Sequence, residues 1–263
     1  KEVKEVIDSG WLTQGPKVET FEKQFAKYNN SKFSIALNSC TSGLHLMLAA
    51  SGIKKGDEVI VPSFTWISTA NVVEQLQCKV IFCDIDLNTF NLDIKELSKK
   101  INKKTKAIIP VHLFGLPFEI QKIKNLQKKY KFKIIEDAAC GFGSYINKKH
   151  VGKFGITGCF SFHPRKAITT GEGGMVTTQD SKLAKKLIAL RDHGAKLNDL
   201  VRHKSNKPYV LSDHVEAGYN FRLTDIQAAI AIDQILLSNK IVKDKNKIED
   251  FYKKKLKKIT WLK

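Results

Sequence analysis

One lysine in this chain has neighbours unlike those of the others. Lys166 closes the run Cys159-Phe160-Ser161-Phe162-His163-Pro164-Arg165-Lys166, and Ala167-Ile168-Thr169-Thr170-Gly171-Glu172-Gly173-Gly174 follows it. An apolar stretch that reads as a strand gives way to a proline-restricted turn, then to small residues and glycines. A free lysine titrates near ~10.4, so only about one in 2,500 is neutral at pH 7. A nucleophilic lysine must be relieved of its proton by burial or by a neighbouring cation. Arg165, and His163 when protonated, stand where such a cation would be needed. The glycines allow the backbone to come close to a ligand.

A second candidate is Asp137, in Ile134-Ile135-Glu136-Asp137-Ala138-Ala139. Two carboxylates end a buried apolar strand, and burying a carboxylate costs several kcal/mol unless something compensates it. A protonated ring nitrogen would compensate Asp137; a helix N-cap or an ion pair with one of the many lysines would also do so. After an earlier strand comes Asn38-Ser39-Cys40-Thr41-Ser42-Gly43. Small hydroxyl residues there cap a helix, and the free amides of a helix start can hold an anion. The segment alone fits an ordinary cap equally well. In Pro62-Ser63-Phe64-Thr65-Trp66, a tryptophan on the first helical turn can lie over a planar ring, although tryptophan in such a place is more often a packed core residue.

These residues need a scaffold that brings strand ends together. Strands are predicted at Phe33–Leu37, Glu58–Val61, Val80–Asp84, Ala107–Val111, Lys133–Glu136, Gly158–Phe162 and Met175–Thr178. Helices are predicted at Val18–Tyr28, Ser42–Ala50, Thr65–Gln75, Ile94–Ile101, Glu119–Tyr130, Ser181–Arg191 and Thr224–Leu237. The alternation implies a three-layer α/β/α fold with a mostly parallel central sheet. In such sheets ligands sit beyond the carboxyl ends of the strands, which is where Lys166, Asp137, Thr41 and Trp66 fall.

Composition removes several function classes. The 263 residues carry a formal net charge of +19, yet only four of the 45 basic residues are arginine. Arginine supplies the bidentate contacts that nucleic-acid readers favour, and lysine scattered between apolar positions reads as a solvated surface. Five cysteines make no CxxC pair and lie in or beside apolar runs, as reduced buried thiols in a cytosolic protein do. The most apolar stretch, Val59 to Val73, holds Pro62, Ser63, Thr65 and Asn71 and is no membrane span. Gly141-Phe142-Gly143 lacks the third glycine of a dinucleotide fingerprint, and Gly152-Lys153 is followed by Phe154 where a P-loop needs Ser or Thr. The histidines show no metal-ligand spacing.

The ordered series of segments resembles the DegT/DnrJ/EryC1/StrS family of pyridoxal-phosphate (PLP) sugar aminotransferases. The resemblance runs through Gly10-Trp11-Leu12-Thr13-Gln14-Gly15-Pro16, Cys40-Thr41-Ser42-Gly43-Leu44-His45-Leu46 and Gly56-Asp57-Glu58-Val59-Ile60-Val61-Pro62-Ser63. It continues in Pro110-Val111-His112-Leu113-Phe114-Gly115, Glu136-Asp137-Ala138-Ala139, Ser161 to Gly174, and Gly218-Tyr219-Asn220-Phe221-Arg222-Leu223-Thr224-Asp225. It implies the type I aminotransferase fold, with Lys166 forming the Schiff base with PLP and Asp137 pairing with the pyridine nitrogen. It also implies that Trp66 stacks on the ring, that Thr41, Ser42 and Ser161 hold the phosphate, and that Asn220 reaches the phosphate of a neighbouring subunit in a homodimer. The reaction implied is ping-pong transfer of an amine from an amino acid, in most of the family L-glutamate, to a nucleotide-linked keto-sugar, commonly 4-keto-6-deoxy, for glycan or polysaccharide synthesis in the cytoplasm.

Two alternatives lie within the fold: a PLP-dependent sugar dehydratase, whose relatives carry histidine in place of the lysine, and a non-catalytic regulator. Lys166 argues against the first, and the presence of both Lys166 and Asp137 argues against the second. Two departures stand out. Cys140 occupies a place where the family often has Gln or His, and the smaller C-terminal domain is largely missing, so the chain, opening on Lys1 and ending at Lys263, reads as a fragment. The expected division is a PLP-binding domain over 1–238 and the start of the small domain over 239–263. Lys196, Arg202, His203 and Lys204 form a basic segment that fits a sugar nucleotide's diphosphate or a solvated loop equally well.

Overall fold

The computed structural model describes residues 1–196, 212–259 and 261. Two helices lead, α1 (Glu2–Ser9) and α2 (Pro16–Asn29), followed by β1 (Phe33–Leu37), α3 (Cys40–Ala50), β2 (Glu58–Pro62), α4 (Ser68–Gln75) and β3 (Lys79–Cys83). Next come α5 (Ile94–Lys100), β4 (Thr105–Ile108), a short 3-10 turn (Leu113–Gly115), α6 (Ile120–Tyr130) and β5 (Lys133–Asp137). A small hairpin, β6 (Tyr145–Ile146) with β7 (Lys149–His150), precedes β8 (Thr157–Ser161), β9 (Gly174–Thr178) and α7 (Ser181–Arg191). Beyond the basic segment lie α8 (Asp225–Leu236) and α9 (Ser238–Leu256).

The seven-stranded sheet has the order β1-β9-β8-β5-β4-β2-β3. From β8 to β3 every neighbouring pair is parallel, whereas β9 runs antiparallel to both β1 and β8. Strict alternation along the strands sorts side chains into two layers. Ile35, Leu37, Val59, Val61, Ala107, Ile109, Ile135, Cys159 and Val176 face the layer of α3, α4 and α7, where Leu44, Met47, Val72, Val73 and Leu187 meet them. Ala36, Phe160, Phe162 and Met175 face α2 and α8 on the other side, and Ile60, Ile108 and Ile134 lie with Leu97 and Ile123 of α5 and α6.

This alternation has a direct chemical consequence at the end of β5. Glu136 and Asp137 are adjacent in sequence and point to opposite layers. Glu136, fully buried, accepts from the amides of Gly152 (2.8 Å) and Gly155 (2.7 Å) and from that of Phe154, and faces His112 Nε2 at 2.9 Å. It ties the 152–155 loop beneath the sheet. Asp137 faces α4.

The elements differ from the sequence expectation in ways that have local causes. β4 stops at Ile108, before the expected Val111, because Pro110 has no N–H to continue the ladder; its carbonyl still accepts from Asp137 N (3.0 Å). α4 begins at Ser68, so Trp66 lies in the strand-to-helix connection and not on the first helical turn. α1 and the β6–β7 hairpin were not expected. The hairpin turns through Asn147 and Lys148, both with positive φ (50° and 63°), and lysine there carries no turn signature.

Candidate active site

The carboxyl ends of β1, β2, β5 and β8 surround a cavity of about 650 Å³. Its lining includes Asp137 from β5, Ser161 from β8, Lys166 from the loop after β8, Trp66 from the connection after β2, and Thr41 from the start of α3. Thus five of the seven residues singled out from the sequence meet in one place. The other two do not line it. Ser42 turns its hydroxyl onto Asn38 Oδ1 (2.7 Å) and within 2.8 Å of Ser39 Oγ, and Asn220 is exposed, paired through its backbone with Asp192.

The α3 terminus is held against the sheet by missing side chains. A Cβ on Gly174 would fall 2.5 Å from the Ser39 carbonyl, and one on Gly43 would fall 2.3 Å from Cys159 Sγ. Ser39 caps the helix by accepting from Ser42 N (3.0 Å). Cys40 and Thr41 occupy the first helical turn, where amides have no intrahelical acceptor, and both residues line the cavity. The end of the cavity below α3 is therefore suited to a dianion.

Asp137, only 4% exposed, lies across from it. Its Oδ2 accepts from Thr69 Oγ1 (2.9 Å) and its Oδ1 from Ala139 N (3.1 Å). Burial pushes its carboxyl above the usual carboxylate range, against the pull of these two hydrogen bonds. A cationic ligand nitrogen beside it would restore the charged form. Thr69 was missed by sequence reasoning, because its bond joins α4 to the end of β5 and leaves no local pattern.

Lys166 is half-buried, and its Nζ donates to Cys140 Sγ at 3.1 Å. It is the one lysine among the residues lining the cavity. Cys40 also lines it, and the adjacent Cys159 thiol, with burial, pushes its thiol well up. All five cysteines are free. His163, Arg165 and Glu172 complete the rim on the Lys166 side. Of the basic segment, Lys196 is exposed and away from the lining, and Arg202, His203 and Lys204 lie outside the described residues.

A mostly parallel sheet with a lysine and a buried carboxylate meeting at adjacent strand ends defines an α/β fold of the aminotransferase type. The family profile of the DegT/DnrJ/EryC1/StrS aminotransferases matches residues 1–262, and the chain belongs to that family. It is 43% identical over 255 residues to the uncharacterized protein MJ1066 of Methanocaldococcus jannaschii, covering 96% of this chain and 66% of that protein. The chain therefore spans just under two thirds of the length of this curated relative. Among solved structures, PseC of Helicobacter pylori, an aminotransferase involved in the biosynthesis of pseudoaminic acid, superimposes with a TM-score of 0.89 at 31% identity, covering 99% of this chain and 69% of PseC. The E. coli GDP-4-keto-6-deoxy-D-mannose-3-dehydratase, solved with bound hydrated PLP, gives 0.89 at 32% identity, covering 98% of this chain and 69% of that one.

Pyridoxal phosphate is the cofactor that this family and the PLP-bound neighbour indicate. The residues present fit it. An anion-suited helix start, a buried carboxylate held by neutral hydrogen-bond donors and an amine are the three groups that a phosphate, a pyridinium nitrogen and an aldehyde require, and they line a single cavity.

Proposed function

We propose that residues 1–238 form the PLP-binding domain of a sugar aminotransferase and that residues 239–263 open its smaller second domain. The substrates assigned are an amino-acid donor, L-glutamate, and a nucleotide-linked keto-sugar of the 4-keto-6-deoxy type, handled in ping-pong order, with products used in polysaccharide biosynthesis. One observation carries the reading: Asp137 and Lys166 face the same cavity from the ends of two neighbouring parallel strands.

Bound there, PLP would supply a carbonyl carbon for amines and a ring that withdraws electrons from the donor carbon. Asp137 holds the proton on the ring nitrogen, fixed for this by Thr69 and the Ala139 amide. Thr41, Ser161 and the first amides of α3 bind the phosphate, with Ser42 bracing Asn38 and Ser39 behind them. Trp66, 69% exposed on its own chain, covers the ring face. Lys166 Nζ moves the proton to and from the donor carbon. Asn220, exposed on this chain, serves the phosphate site of a partner subunit in a homodimer, for which the exposed Phe64, Trp66, Phe90 and Phe114 around the cavity mouth offer apolar surface. The five free cysteines support action in the cytoplasm. Among the described residues no helix is long and apolar enough to cross a membrane.

An amine and not an imidazole stands at position 166, which favours amine transfer over the dehydration performed by one of the neighbours. The visible spectrum of the full-length protein with PLP tests this. A yellow, protein-dependent band that bleaches with L-glutamate is expected. No band would end the PLP reading, and a band indifferent to glutamate would end the assignment of the donor.

A further inference from the structure

A second cavity of about 500 Å³ adjoins the first, bordered by Phe142 to Tyr145 at the start of β6 and by α9. Phe114, Ala139, Cys140, Arg165 and Lys166 line both. Cys140 sits at this junction, and its Sγ accepts from Lys166 Nζ at 3.1 Å. The geometry points to Cys140 as a positioning residue for Lys166. It does not react; its sulfur sets where the lysine amine rests. This inference rests on the PLP reading of the site.

The backbone that carries the sulfur is held by a hydrogen-bonded frame. Cys140 lies three residues after Asp137, in a turn closed by Gly141 N to Ala138 O (2.8 Å) and continued by Ser144 N to Gly141 O (3.0 Å). The Cys140 carbonyl packs against Gly115, where an added Cβ would come within 3.3 Å, and Ser144 Oγ donates to the Gly115 carbonyl at 2.6 Å. The strand end that aims the Asp137 carboxylate therefore also places the backbone of Cys140, so the ring-nitrogen site and the sulfur that receives the amine sit on one short segment. Lysine has a long flexible stem and three donors, and an amine without an acceptor samples many rotamers. A thiol is a weak acceptor. It can hold the amine at the cavity junction and still release it to a carbonyl carbon, which a carboxylate would not do.

The test follows attachment of PLP to the full-length apoprotein by stopped-flow absorbance, in wild type, Cys140→Ala and Cys140→Ser. Loss of the acceptor in C140A should slow attachment about fivefold, equivalent to ~1 kcal/mol for one hydrogen bond. C140S, which restores an acceptor of similar size, should recover most of the rate, while urea unfolding midpoints of all three remain alike. A rate in C140A within a factor of two of wild type overturns the inference. So does equal slowing in C140A and C140S, which would mark the thiol's packing as the cause. Absence of a band in wild type removes the PLP reading and this inference with it, whereas a normal wild-type band with an unaffected C140A rate removes the inference alone.

Discussion

Asp137 is the residue on which the site turns. A threonine hydroxyl and one amide hold its oxygens, and burial pushes its carboxyl up against their pull and the weaker attraction of Lys166 and His112. Glu136, one residue earlier, accepts from three backbone amides and faces His112, so its structural work is complete. The asymmetry makes a prediction. Asp137→Asn keeps the shape of the group and removes the charge, so PLP affinity should fall on the order of 100-fold, about 3 kcal/mol for a broken buried ion pair. Apoprotein stability should not fall with it, because burial of the Asp137 carboxylate is only partly offset and is itself a cost. A PLP titration by fluorescence quenching, beside urea unfolding of the apoprotein, reads both. Unchanged PLP affinity would mean that Asp137 faces no ring nitrogen.

At the scale of elements, a carboxylate far along the chain caps an early helix. Asp225, at the start of α8, accepts from the amides of Gly15 (2.8 Å), Lys17 (3.0 Å) and Val18 (2.9 Å) at the N-terminus of α2. Gly15 is required there, since a Cβ would fall 2.8 Å from Asp225 Oδ2 and 2.0 Å from the Trp11 ring nitrogen. Asp225→Ala should therefore cost roughly 2–4 kcal/mol, visible as a lower urea midpoint with unchanged slope. A loss within 0.5 kcal/mol, about the size of a neutral surface change, would contradict this. The two sequence stretches that hold these residues, Gly10 to Pro16 and Gly218 to Asp225, stood out in the sequence, but the bonds between them did not, because pairing across some 210 positions leaves no local pattern. The strands were legible to within about two residues at most ends, since buried β-branched runs between turn residues give a strong signal. Period-two alternation could have separated Glu136 from Asp137. Thr69 and the Cys140–Lys166 contact could not be read, because each joins residues on different elements.

The whole molecule is an arrangement for bringing four strand ends to one cavity. Parallel strands from β8 to β3 put their carboxyl ends on one edge, and antiparallel β9 lets Gly174 press against the start of α3. The large positive charge belongs mostly to lysines outside this cavity, in helices such as α9, where Lys247 and Lys253 pair with Asp244 and Glu249 at the surface. That surplus makes the most direct test of the account unusually sharp, because PLP can label any accessible lysine. Full-length protein is loaded with one equivalent of PLP, reduced with borohydride and mapped by peptide mass spectrometry. The account predicts a pyridoxyl group on Lys166 and essentially none elsewhere, with labelling lost in Lys166→Ala. Label spread over surface lysines, or unaltered labelling in that variant, would contradict the claim that Lys166 and Asp137 form a single PLP site.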